Sequence, residues 1–96
     1  MEGKVKNLVQ IVNQRVSILN SRLSQHGLHM YEVPAEPNAD HIRRMVADLD
    51  WIMESVESQT GETRNDSASV HTKYKDVRNR LMQIHELLRR EKPPEI

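Results

Sequence analysis

The sequence predicts an all-α protein, an antiparallel three-helix bundle with coiled-coil-like packing. Three segments repeat apolar residues at three- and four-residue steps, the spacing that lines one face of a helix. The chain has three Gly and four Pro, too few for the many turns of a β-sheet protein. With one Trp, two Tyr and no Phe, its core must be built from Leu, Ile, Val and Met. Because the chain has 96 residues, we expect residues 1–96 to form a single helical domain.

The first predicted helix spans about residues 3–26 and has a wide apolar face. Ile11 and Ile18 lie beside the heptad seam and widen this face to about half of the helix surface, which requires two neighbours rather than one. Gly27 is expected to end the helix, since glycine readily takes the left-handed conformation that follows helices. The seam consists of Val5, Leu8, Val9, Val12, Val16, Leu19 and Leu23.

The connection over residues 27–38 is long and unusually apolar. Pro34 and Pro37 prevent a helix in its second half. A loop of this length needs a surface to lie on, and its first half offers four apolar side chains for the contact: Leu28, Met30, Tyr31 and Val33.

The second predicted helix spans about residues 39–58, and Asn38 or Asp40 can cap its first turn. Its apolar stripe consists of Ile42, Met45, Val46, Leu49, Ile52, Met53 and Val56. The third helix is predicted at about 68–91 and has the most regular heptad pattern, formed by Val70, Tyr74, Val77, Leu81, Ile84 and Leu88. A polar loop, 59–67, precedes it, and a C-terminal tail, 92–96, follows.

Charge is unevenly distributed along a chain whose net charge is zero. Residues 28–62 have eight acidic and two basic residues, a net charge of −6, while 1–27 and 63–96 are each +3. We therefore expect the acidic second helix to lie between or beside two basic ones. Binding of nucleic acid is not favoured, because such domains are usually basic overall. No stretch approaches eighteen uninterrupted apolar residues, so no segment is expected to span a membrane, and a membrane is not the expected partner.

The sequence has no motif that indicates catalysis, a metal or a cofactor. It contains no Cys, and its three glycines are isolated rather than grouped in a phosphate-binding loop. His26 and His29 stand three residues apart, but Gly27 separates them, so their spacing is typical of surface or packing histidines rather than of zinc ligands. We expect no metal or cofactor and no enzymatic activity.

Trp51 is the apolar residue that the helical pattern leaves outside. At about 100° per residue it lies about 150° from the middle of the second helix's stripe. Arg44, Ala47 and Ser55 share its outward row, and Met82 faces outward on the third helix. These five residues form the predicted partner-binding surface, because Trp is enriched at binding hot spots.

A rival interpretation, slightly favoured by the sequence, is that the apolar loop 28–33 folds back and covers Trp51. Both interpretations can hold together, since a partner can displace a loop that shelters the indole.

Several small three-helix bundles that bind other proteins are similar to this chain in plan, among them spectrin-type repeats, SNARE N-terminal domains, ubiquitin-binding adaptors and BAG domains. The segment from Ile42 to Val56, ending in MESV, and Lys75-Asp76 followed by Ile84 and Leu88 resemble the second and third helices of a BAG domain. The resemblance covers about a third of the chain. The expected arginine pattern early in the third helix is missing and the intervening loop is longer, so the resemblance implies no functional residues.

These observations favour a protein–protein interaction or assembly module, an adaptor or scaffold whose partner is another, helical protein. One alternative is a subunit of an obligate coiled-coil complex or homo-oligomer, in which another chain completes the wide face of the first helix. The other is a basic-face binder of nucleic acid or anionic membrane, through the third helix. We expect an intracellular, cytoplasmic location, with the nucleus as the alternative.

Overall fold

The computed structural model describes residues 2–59 and 67–91, which form three α-helices and confirm the all-α three-helix bundle. Helix α1 spans Glu2–Leu23, α2 spans Ala39–Ser58 and α3 spans Ser67–Glu91. A short 3-10 turn, Ser24–His26, continues α1 and accounts for the longer helix predicted there. The predicted tail, 92–96, and most of the predicted loop 59–67 lie outside the described residues.

Local sequence signals set the helix ends around the first connection. Gly27 takes a left-handed conformation, with φ of 72°, and its amide donates to the carbonyl of Ser24, which ends the helical path. Asn38 caps α2, because its side-chain oxygen accepts a hydrogen bond of 2.8 Å from the amide of His41. Both roles confirm the sequence prediction.

Helix α3, rather than the acidic α2, packs against both of the other helices. It is antiparallel to each of them: its first half lies beside the last turns of α1, and Leu88 near its end faces the start of α2. The ends of α1 and α2 meet, since His26 Nδ1 lies 2.7 Å from Oε1 of Gln59, whose Nε2 donates to the His26 carbonyl. Helices α1 and α2 are therefore parallel, and the connection between them must return along the bundle.

The connection makes this return as an extended segment held along α1 by two asparagines. The side-chain amide of Asn20 donates to the carbonyl of Met30 and accepts from its N–H, at 2.9 and 2.8 Å. Asn13 makes the same pair of bonds with Val33, at 3.0 and 2.7 Å. These bonds satisfy the backbone N–H and C=O groups of Met30 and Val33, in a segment that has no regular secondary structure.

The side chains of Met30 and Val33 enter the core with the predicted apolar stripes. The wide face of α1 is thus covered by α3 and by the connection, although Ile18 remains 46% exposed. Among the described residues the buried apolar side chains are Val5, Val9, Val12, Val16, Leu19, Leu23, Met30, Val33, Ile42, Met45, Val46, Leu49, Ile52, Met53, Val56, Val70, Val77, Leu81 and Ile84.

Candidate protein-binding surface on the second helix

Trp51 is exposed to solvent over 61% of its surface, so the expectation that loop 28–33 covers it is wrong. Met30 and Val33 are buried in the core, and Tyr31 lies at the surface beside the start of α2, with 72% of its surface exposed. The reason is the backbone pairing with α1, which holds the segment along that helix and directs its apolar side chains inward. The outward position predicted for Trp51 from helical spacing is confirmed.

Small side chains lie one helical turn on either side of Trp51. Ala47 precedes it and is exposed, and Ser55 follows it and is half-buried. The hydroxyl of Ser55 donates to the carbonyl of Trp51 at 3.0 Å, which draws this side chain against its own helix. The two neighbours of the indole in this row, Ala47 and Ser55, therefore have small side chains. The next large side chain in the row is Arg44, two turns before Trp51.

Carboxylates flank Trp51 on the neighbouring rows of α2. Asp48 and Glu54 lie one turn before and one turn after it, and Glu57 lies near the end of the helix. All three side chains are exposed, and within the described part of the chain none of them forms an ion pair. From Ala47 to Ser58 the sequence contains no Lys or Arg. The surface next to the indole is therefore acidic, and Arg44, two turns before Trp51, is the cation of the same row.

Asp50 differs from these carboxylates because it bridges α2 and α3. Its Oδ1 accepts hydrogen bonds from the Tyr74 hydroxyl at 2.6 Å and from Nε of Arg78 at 3.0 Å. Burial, the largest single influence, raises the pKa of Asp50, but the two hydrogen bonds and the charge of Arg78 together outweigh it and lower the pKa. Burial and the bond to Asp50 raise the pKa of the Tyr74 hydroxyl. Unlike the exposed carboxylates around it, Asp50 is therefore part of the packing between α2 and α3.

An open groove of about 860 Å³ lies beside the Trp51 row, at the start of α2. Tyr31 from the connection and Leu88 from α3 line it together with Arg44 and Asp48 of α2. Because Asp48 lies one turn from Trp51, the groove and the indole belong to one continuous surface. We call this surface, formed by Tyr31, Arg44, Ala47, Asp48, Trp51, Glu54 and Ser55, the α2 face.

Four of the five predicted partner-binding residues belong to α2 and the fifth, Met82, to α3. Arg44, Ala47, Trp51 and Ser55 lie in one row of α2. Met82 is 43% exposed on α3, one turn after Arg78. Tyr31 is the member of the α2 face that sequence reasoning misassigned, and only its place between two inward-facing residues, Met30 and Val33, could have indicated that it points outward.

From the sequence we also considered a basic face on α3, a metal site and a membrane-spanning helix. On α3, four arginines pair with carboxylates of the same chain: Arg78 with Asp50, Arg80 with Asp76, and Arg89 and Arg90 with Glu86. Over residues 2–59 and 67–91, His, Asp and Glu side chains do not gather in groups of three or more that could hold a metal ion. No described helix has the length and apolar character needed to cross a membrane.

The α2 face is interpreted from its own chemistry. Comparison of the chain with protein-family models, with curated proteins and with solved structures finds no match.

Proposed function

We propose that the chain is a non-enzymatic protein–protein interaction and assembly module, an adaptor or scaffold that binds another, helical protein through the α2 face. The observation that supports this proposal is the exposure of Trp51, the single Trp of the chain. Folding leaves this side chain in water although the chain has few other aromatics to build a core. Exposed Trp side chains surrounded by polar residues are typical of binding hot spots.

The energetic argument follows from the area of the indole. A Trp side chain buries on the order of 150–250 Å² when fully covered, and apolar area contributes about 25 cal/mol per Å². Covering the exposed part of Trp51 can therefore stabilise a complex by about 2–4 kcal/mol. One residue of this kind accounts for a large share of the affinity of a small interface.

A second candidate function is homo-oligomer formation through α1, which the exposure of Ile18 favours. Ile11 lies seven residues before it on the same side of the helix and is only half-buried. A second copy of the chain could cover both isoleucines.

Affinity capture with three immobilised proteins tests the proposal: the wild type, Trp51→Ala, and Ile18→Ala as the matched control. Each variant removes one large exposed apolar side chain from a different helix. From an extract of the source cells, we expect the wild type and Ile18→Ala to retain a protein that Trp51→Ala does not. The Kd of this purified partner for Trp51→Ala should be at least about tenfold higher than its Kd for the wild type. Retention by Trp51→Ala of every protein that the wild type binds would contradict the proposal.

Sedimentation over a range of protein concentrations tests the second candidate with the same variants. If copies associate through α1, the wild type and Trp51→Ala form oligomers and Ile18→Ala does not. If the wild type remains monomeric, this candidate is excluded.

A further inference from the structure

The surface of α2 around Trp51 has an excess of negative charge: three exposed carboxylates without an ion pair stand against one exposed cation, Arg44, which lies two turns away from the indole in the same row. Asp48, Glu54 and Glu57 are exposed, and no Lys or Arg among the described residues forms an ion pair with them. Asp50, by contrast, is neutralised by Arg78. The position of the charge is also unfavourable for the free protein, since the last turn of α2 has no basic residue. A helix C-terminus already has a partial negative charge, and acidic side chains there destabilise the helix.

We propose that the occupant of the α2 face is a basic segment of another polypeptide, which places a Lys or Arg side chain over the indole of Trp51. This inference rests on the proposed function and specifies the chemistry of its partner. Three groups on the face contribute to the recognition: the aromatic ring, the carboxylate of Asp48 and the carboxylate of Glu54.

The arrangement of these groups suits a cation with an alkyl stem. The face of an indole attracts an ammonium or guanidinium group placed within about 6 Å of it. Asp48 and Glu54 lie one turn on either side of Trp51, so a cation over the ring has a carboxylate available in both directions along the helix. The methylene groups of Lys or Arg cover the apolar ring, while Ala47 and Ser55 leave room for the backbone of the bound segment.

The same charges disfavour other occupants. Nucleic acids and anionic membranes are repelled by an acidic surface. A partner with an acidic binding segment would place like charges together, which opposes binding.

The sole Trp makes the test direct, because fluorescence titration reports on Trp51 alone. The probes are three synthetic peptides of equal length that alternate alanine with arginine, glutamine or glutamate. We expect the arginine peptide to change the Trp51 emission and to bind more tightly than the other two. Its affinity should fall as salt is raised, since exposed charges on both molecules contribute.

A double variant, Asp48→Asn with Glu54→Gln, keeps the indole and removes the two flanking charges. We expect it to bind the arginine peptide about tenfold more weakly than the wild type. The matched control is Glu32→Gln with Glu36→Gln, which removes two exposed carboxylates from the connection and should bind like the wild type. Circular dichroism and thermal unfolding verify that both double variants fold.

Three results would overturn the proposal: no peptide binds, the glutamine or glutamate peptide binds as tightly as the arginine peptide, or the two double variants bind equally well. Trp51-dependent association of the chain with itself would also overturn it, since the occupant would be a second copy. These failures are distinct from failure of the proposed function. A captured protein that requires Trp51 but is insensitive to Asp48→Asn with Glu54→Gln supports that function and excludes a basic occupant.

Discussion

At the scale of single residues, neighbouring positions on α2 have opposite roles. Trp51 is largely exposed, whereas Ile52 is 6% exposed and packs in the core. Helical spacing alone produces this difference, since consecutive residues lie about 100° apart around the helix. The larger side chain is the one that folding leaves in water, so the stability of the fold should depend little on Trp51.

Replacing Trp51 with Ala is expected to change the free energy of unfolding by no more than about 0.5 kcal/mol, as exposed substitutions usually do. Ile52→Ala, the adjacent buried change, should lower it by about 2–5 kcal/mol, because it leaves a cavity in the core. Urea unfolding followed by circular dichroism measures both values. A loss of several kcal/mol in Trp51→Ala would mean that the indole is covered in solution.

Sequence reasoning located Trp51 and its row but not the whole α2 face. The row follows from periodicity, which needs no knowledge of the other helices. Tyr31 could not be assigned in this way, because the segment around it has no regular secondary structure, so no periodicity in the sequence shows which of its side chains face the core. The bridge from Asp50 to Tyr74 and Arg78 depends on the register between α2 and α3, which periodicity leaves open.

At the scale of elements, this Asp50 bridge makes the packing of α2 on α3 sensitive to acid. The folded-state pKa of Asp50 lies below its ordinary value of 3.8. Its contribution to stability is therefore present above pH 3.8 and is lost as the pH falls through the lower, folded-state pKa. The side chains of Asp50 and Arg78 are 40% and 39% exposed, so solvent screening limits this contribution to about 1 kcal/mol or less.

The prediction is that Asp50→Asn is less stable than the wild type near neutral pH and that the difference closes in acid. Urea unfolding at a series of pH values from neutral to about pH 2 measures it. Asp48→Asn is the matched control, since Asp48 is exposed and forms no ion pair with a described residue. A difference for Asp50→Asn that is independent of pH would show that the bridge does not form.

The connection depends on the two asparagines of α1. Asn20→Ala removes both hydrogen-bond partners of the Met30 backbone and should lower the free energy of unfolding by about 1–3 kcal/mol. Hydrogen exchange gives a local measurement, because the amide of Met30 should lose its protection while amides within α2 and α3 keep theirs.

Asn20→Asp provides the finer test of this pairing. An aspartate still accepts from the Met30 N–H but cannot donate to the Met30 carbonyl. We expect it to keep the amide protected and to lose part of the stability. Full protection of Met30 in Asn20→Ala would contradict the role given to the side-chain amide.

At the scale of the whole molecule, the relative directions of the three helices are unusual for a short three-helix chain. Connections of a few residues make consecutive helices antiparallel. Here the extended connection returns the chain to the beginning of the bundle, so α1 and α2 are parallel and α3 is antiparallel to both. The molecule is elongated, with dimensions of 54 × 23 × 17 Å.

Distances between spin labels test this order, and the absence of Cys in the chain makes site-specific labelling simple. Labels at Gln25→Cys and Ser58→Cys should lie close together, because the ends of α1 and α2 meet. Labels at Lys6→Cys and Ser58→Cys should lie about 25 Å further apart, from a rise of 1.5 Å per helical residue. The reverse order of distances would indicate antiparallel α1 and α2.

The three helices, their approximate ends and most of the core could be predicted from sequence, because each stripe repeats over several turns. The course of the connection could not be predicted. Its apolar residues indicated that it lies on the protein, but both α1 and the Trp51 row could have received it. The hydrogen bonds of Asn13 and Asn20 hold the connection on α1. Nothing in the sequence distinguishes these two asparagines from others, because their bonding partners are known only from the structure.

The pairing of the connection with α1 requires that two distances agree, the rise from Asn13 to Asn20 along the helix and the span from Met30 to Val33 along the extended connection. Asn13 and Asn20 are separated by seven helical residues, which rise about 10.5 Å. Met30 and Val33 are separated by three extended residues, which span about 10 Å. The two repeats match at this length, so one residue added between Met30 and Val33 would break the match and turn an apolar side chain outward. The connection should therefore keep its length between Met30 and Val33, and we expect insertions to be tolerated in residues 34–37, between this pairing and the cap at Asn38.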